Sequence, residues 1–380
     1  MEDTDTKGAD EASISQQDIP GCGTAKRLDD SAQTCNCHAP NGECPASFSE
    51  SLKPPVGQQT IGDCECGKPI ERPLACNQCL SDWHSLSRAA ILLKELLYTF
   101  REATFDQSIG SLYVQETKLI IHEGESEEQC IPVFPHDLVR DYEPWVKNML
   151  LTKCACVQAN CYLERILVMF LRDVEFVQEI EELDFVPNQG PRQWIWHRFN
   201  GEIIYDHTYN HTVYLITLRN ESSWVLDLTA AQYGYDDTLD NILVPWQAYK
   251  KQRVGEILKI HQFGRQAREL RVEISLKTET GTFRPLGLDE LASLGASMES
   301  AVANAFDGPD MTPENLLVNA SDKEFMNQVP LFVDACANAM AEYKKQKAHS
   351  PGVIQKTWKR AQLRGRSWLG KVQCIVPDGK

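Results

Sequence analysis

Three side chains near the middle of the chain could act together as a nucleophile, a base and a group that orients the base. Cys161 follows Asn160, His211 lies fifty residues further on, and Asp227 comes sixteen after that. The stretch CYLERILVMFLRD, which Cys161 opens, is apolar nearly all round and predicts a buried helix. Asn160 is a good N-cap, which puts Cys161 at the first helical position, where the helix dipole favours a thiolate. Residues His211 to Trp246 read as two strands joined by a short polar turn, then a loop rich in aromatic and small residues. In such an order the Cys attacks an acyl carbon, the His takes its proton and the Asp orients the His. The alternative is a core thiol, a strand-edge His and an Asp that caps the AAQYG loop. Gln232, Tyr233 and Gly234 in that loop could shape a pocket or form a structural turn, with Gly234 supplying an unusual backbone angle.

Pleat geometry tests whether the His and the Asp can meet. Directly opposed residues of an antiparallel hairpin share a face, and side chains alternate along each strand. If Asn220 and Glu221 form a two-residue turn, Arg219 opposes Ser222, and His211 and Asp227 fall on opposite faces. If the loop is Arg219–Glu221, Leu218 opposes Ser222 and the two share a face. The turn is neither Asn-Gly nor Asp-Gly, so its residues do not choose.

A second chemistry is metal binding. The stretch DCECGKPIERPLACNQCLSDWHS carries Cys64, Cys66, Cys76 and Cys79, with His84 at its end. Cys76-x-x-Cys79 brackets a tight turn so that both thiolates reach one ion. Cys64 or Cys66 gives a third ligand and His84 a fourth, which completes one tetrahedral zinc site. The alternative is a loop of reduced cysteines without metal. Upstream, Cys35, Cys37, His38 and Cys44 lie in a segment with no apolar residues to build a knuckle around them. Cys154, Cys156 and Cys336 read as packing residues.

The CGKP, the C-x-x-C and the DWH leading into a helix resemble a MYND-type zinc finger. The chain more closely resembles fungal proteins in which such a finger precedes an uncharacterised α+β domain. The segments TFREATFD (99–106), LIIHEG (119–124), DLTAAQYG (227–234) and VPW (244–246) carry that likeness past the finger. The family holds two zinc ions with seven Cys and one His. This chain has C-x-C at 64–66, lacks the Tyr-Cys-x3-Cys step between Cys79 and Asp82, and has Arg88 where the last Cys would fall. The resemblance therefore implies a degenerate finger with one zinc ion, Zn2+, and a protein or proline-containing peptide as partner. Trp224, Asp227 and Thr229, with His211 opening the preceding strand, resemble the transglutaminase-like core over residues 161–229, without its glycine-rich approach to the nucleophile.

The elements around these residues predict an α+β protein. Residues 1–60 lack apolar periodicity and read as mostly disordered; 61–88 form the knuckle; 89–300 form a mixed helix and antiparallel-sheet domain; 301–345 are helical; 346–380 form a basic tail. Leu86, Ala89, Ala90, Leu93, Leu96, Leu97 and Phe100 recur at helical spacing, 112–123 alternate like a strand pair, 141–153 read as a helix, and LRVEISLKTET (270–280) reads as a strand.

Charge and composition set the outer bounds. The net charge of −16 argues against general affinity for nucleic acid. Lys344 to Lys371 hold nine Lys or Arg and no Asp or Glu, a tail suited to solvent or to an acidic partner. The first residues do not resemble a signal peptide, and the longest apolar run, Ile166–Leu171, is far too short to span a bilayer. These features predict an intracellular protein, cytoplasmic or nuclear, whose fourteen cysteines are reduced. The first functional reading is a zinc-binding protein-interaction or regulatory module. The second is a cysteine hydrolase or acyltransferase using Cys161, His211 and Asp227. A third has the α+β domain bind a small ligand.

Overall fold

The computed structural model describes residues 77–105, 107–124, 134–171, 176–279, 286–306 and 311–348. Within them the chain is α+β, as its patterning predicts. The long helix α1 (Asn77–Ala103) opens it. Leu86, Ala89, Ala90, Leu93, Leu96, Leu97 and Phe100 are all fully buried, so the stripe read from the sequence is the face that enters the core. Each such Leu or Phe contributes about 1.5–3 kcal/mol of burial.

Two sheets follow. The first is mixed, in the order β1 (Ile109–Gln115), β2 (Lys118–Glu123), β4 (Gln193–His197), β5 (Ile203–Tyr205), with only the β2–β4 pair parallel. Its inner face, including Leu119, Ile121, Trp194 and Trp196, packs with Val139 of α2 (His136–Val139) and with Val146, Met149 and Leu150 of α3 (Pro144–Thr152). The second sheet is antiparallel throughout, in the order β8 (Leu243–Pro245), β7 (Ser223–Leu226), β6 (His211–Leu218), β3 (Val177–Pro187), β9 (Val254–Gln262). Both of its faces are covered. Tyr214, Ile216, Trp224 and Leu226 join the core of α1, while Val213, Leu215 and Val225 pack with Trp246 and Tyr249 of α7 (Trp246–Arg253). Double burial explains why the centre of β6, Val213–Ile216, reads as an unbroken apolar run.

Two expectations need correction. The helix expected to begin at Cys161 is two helices, α4 (Cys156–Tyr162) and α5 (Glu164–Leu171). Cys161 therefore sits one residue from the end of α4, and Cys156 opens it. Of the strand expected at 270–280, residues 270–279 lie in helix α8 (Arg265–Glu279), residue 280 lies outside the described residues, and the strand is β9 before it. The alternation of Leu270, Val272 and Ile274 favours a strand locally. Glu182 of β3 nevertheless accepts the backbone N–H of Gln266 at 3.1 Å, which satisfies a donor of the first helical turn from across the fold. Tertiary context overrides a weak local preference there.

The C-terminal half closes the core with α9 (Leu286–Ala305) and α10 (Asp322–Ala348). Arg88 of α1 is buried, donates to the Leu317 carbonyl at 3.0 Å and to Asp322 at 2.8 Å, and lies over the Phe325 ring. No helix among the described residues is long and apolar enough to cross a membrane.

Candidate active site

The hairpin takes the three-residue loop. Leu218 N–H donates to the Ser222 carbonyl at 2.8 Å, and Glu221 turns the chain with φ 68°. Asn220 Oδ1 accepts from the backbone N–H of Ser222 at 3.0 Å and from its hydroxyl at 2.7 Å. The ladder pairs Tyr214 with Leu226, so Asp227 stands opposite Val213 and shares the face of His211. His211 Nε2 lies 3.0 Å from Asp227 Oδ1.

Asp227 is held from every side. Oδ1 also accepts from the backbone N–H of Thr229 at 3.2 Å, and Oδ2 accepts from the Tyr249 hydroxyl at 2.8 Å, with Arg253 at 3.8 Å. Burial alone would push this carboxyl up. The charge and hydrogen bond of His211, then Arg253 and Tyr249, outweigh burial and hold it below the usual carboxylate range. Sequence reading did not find Tyr249 or Arg253, because both arrive from α7, which no local pattern ties to Asp227.

The thiol at His211 is Cys156, not Cys161. Cys156 hydrogen-bonds the imidazole, whose Nε2 faces Asp227. Burial works against a charged imidazole here, but Asp227 and then Cys156 outweigh it and raise its pKa to about 9. Cys156 follows Ala155, the N-cap of α4, so the first helical position expected for Cys161 belongs to Cys156. Five residues along a helix rotate a side chain by about 140° and advance it by about 7.5 Å, so Cys156 and Cys161 cannot share one partner. Cys161 points elsewhere: burial pushes its thiol far up, and the carboxylates of Glu182 and Glu164 add to the shift. A thiol in that setting is a poor nucleophile. Cys154 and Cys156, expected to be packing residues, lie at this site instead. The signal that separates the two readings is the helix start, and the apolar run that follows hid it.

Gln232 completes the arrangement. Its Oε1 accepts from the backbone N–H of Cys154 at 3.2 Å, which fixes the orientation of the amide. Its Nε2 then lies 3.1 Å from His211 Nδ1 and donates to the Thr229 hydroxyl at 3.2 Å. In the neutral ring the proton sits on Nε2 toward Asp227 and the lone pair on Nδ1, the form in which His211 can take a proton. Tyr233 and Phe185 pack edge-on against the imidazole, with ring centroids 4.9 and 5.3 Å away. Cys156, His211, Asp227 and Gln232 are 1–3% exposed, so the site is closed to bulk solvent. Gly234 has φ 76°, the unusual angle expected of it, and a Cβ on Gly190 would lie 1.8 Å from the Tyr233 carbonyl oxygen.

The expected zinc ligands fare differently. Cys64, Cys66 and Cys76 lie outside the described residues, and Cys79 falls at the start of α1. His84 also lies in α1, and its Nε2 is 2.7 Å from Asp322. Among the described residues no group of three or more His, Cys, Asp or Glu could hold a metal ion. No protein-family model matches the chain, and neither a curated protein nor a solved structure matches it.

Proposed function

We propose that this chain is a cysteine hydrolase or acyltransferase whose nucleophile is Cys156, with His211 as base and Asp227 as the group that orients it. One observation carries the reading: a thiol at the first position of a helix meets an imidazole whose other ring nitrogen is held by a buried carboxylate. The thiol attacks an acyl carbon and His211 takes its proton at Nδ1. Asp227 stabilises the imidazolium, which returns the proton to the leaving group. Water or a second acceptor then receives the acyl group. Closure of the site over Cys156 implies that the acyl substrate displaces the segment that covers the thiol.

The test is acyl-enzyme formation on the full chain. With an activated ester such as p-nitrophenyl acetate, mass spectrometry of the tryptic peptide Cys154–Arg165 is expected to place the acetyl group on Cys156. Cys161→Ala should leave labelling unchanged, and Asp227→Asn should slow it about 100-fold or more. Labelling on Cys161, or equal labelling in His211→Asn, would sink the assignment.

A further inference from the structure

The second thiol of the Cys-x-Cys pair has no part in acyl transfer, yet it is built into the same site. Cys154 is half-buried, whereas Cys156 is enclosed. Cys154 has φ 54°, a left-handed backbone that residues other than glycine adopt at a cost. Ala155 follows at φ −99° and ψ 0°, so the chain bends sharply between the two thiols. Two residues along a bent chain, Cα atoms lie within about 7 Å, the separation that a disulfide spans. Gln232 couples them to the base, since one amide holds the Cys154 N–H with its oxygen and His211 Nδ1 with its nitrogen.

We propose that Cys154 and Cys156 form a two-thiol redox site that takes a hydroperoxide and closes to an intrachain disulfide. The more accessible Cys154 thiol attacks the terminal peroxide oxygen, the O–O bond breaks, and an alcohol (water, for hydrogen peroxide) leaves, so that Cys154 becomes a sulfenic acid. Cys156 then attacks the Cys154 sulfur, His211 receives the Cys156 proton and delivers it to the departing hydroxide, and the S–S bond forms with loss of water. Two electrons pass from the thiol pair to the peroxide, and a dithiol reductant restores the pair. The disulfide occupies the sulfur that would carry an acyl group, so oxidation switches acyl transfer off. The redox site shares Cys156 and His211 with the acyl-transfer reading but stands without it.

The experiment uses reduced full-length protein, a few equivalents of hydrogen peroxide, quenching with iodoacetamide and tryptic mapping of Cys154–Arg165. The expected product lacks two hydrogens, carries one carbamidomethyl group on Cys161, and reverts with dithiothreitol. It should persist in Cys161→Ser, vanish in Cys154→Ser, and form about tenfold more slowly in His211→Gln. Three carbamidomethyl groups after peroxide treatment, or a disulfide that survives Cys154→Ser, would overturn the proposal. So would oxidation of Cys156 to the sulfinic acid with no disulfide. Acetylation of Cys156 by p-nitrophenyl acetate in Cys154→Ser separates the two ideas. If acetylation persists while the wild type forms no disulfide, only the redox site fails; if the disulfide forms without acetylation, only acyl transfer fails.

Discussion

An imidazole between a carboxylate and a thiol makes a statement about pH. The pKa of His211 is raised from 6.5 to about 9, chiefly because Asp227 and Cys156 outweigh burial. A group with a raised folded-state pKa contributes stability that is full below its ordinary value and is lost as pH rises through the folded one. Urea unfolding should therefore show stability falling between pH 6.5 and about 9, and His211→Asn should abolish that slope. Asp227 works in the opposite direction. Its lowered pKa adds stability above the ordinary 3.8, and this is lost as pH falls below it. A His211→Asn profile that kept the alkaline slope would show that the ring does not carry the charge assigned to it.

At the scale of elements, the site depends on a hairpin loop of three residues. Deleting Asn220 leaves Arg219 and Glu221 as a two-residue turn with Leu218 still opposite Ser222, so the register and the shared face of His211 and Asp227 are kept. Loss of the Asn220 bonds to Ser222 should lower the unfolding midpoint while Cys156 acetylation persists. Glu221 should respond the other way. It is exposed and sits at φ 68°, so Glu221→Gly relieves backbone strain and should stabilise the protein by up to about 1 kcal/mol in denaturant titrations, with acetylation unchanged. Gly190 has no such latitude. Any Cβ there meets the Tyr233 carbonyl, so Gly190→Ala must push the loop off the turn that carries Gln232. Acetylation in that variant should change even where folding survives.

Across the whole molecule, the C-terminal helices belong to the core of α1. Phe325, Phe332, Cys336 and Met340 of α10 are buried in the same cluster as Leu93 and Leu97 of α1. Arg88 is the polar clasp of that packing. Removing Asp322 leaves a buried guanidinium without its carboxylate, so Asp322→Ala should cost about 2–4 kcal/mol by chemical denaturation. Asp322 also holds His84. We therefore expect that any zinc bound upstream is held by the thiolates of Cys64, Cys66, Cys76 and Cys79, which complete a tetrahedron by themselves. Metal analysis should find about one zinc per chain, lost in Cys76→Ser and kept in His84→Asn. Loss in both variants would return His84 to the ligand set.

The sequence by itself determined the α+β class, the buried face of α1 and the His–Asp hairpin with its two possible registers. Periodicity and strand alternation are local properties, readable from side chains a few residues apart. It did not determine which register the hairpin takes, because Arg219, Asn220 and Glu221 suit either loop and strain at Glu221 leaves no sequence mark. Nor did it select the thiol that meets His211. Cys156 and Cys161 both precede apolar residues, and only the true helix start and the position of β6 bring one of them to His211. The choice of α8 over a strand at 270–279 was likewise tertiary, since it follows from a carboxylate on β3. Register, helix starts and partners from distant elements are set by the energy of the whole packed core, which no local window of residues contains.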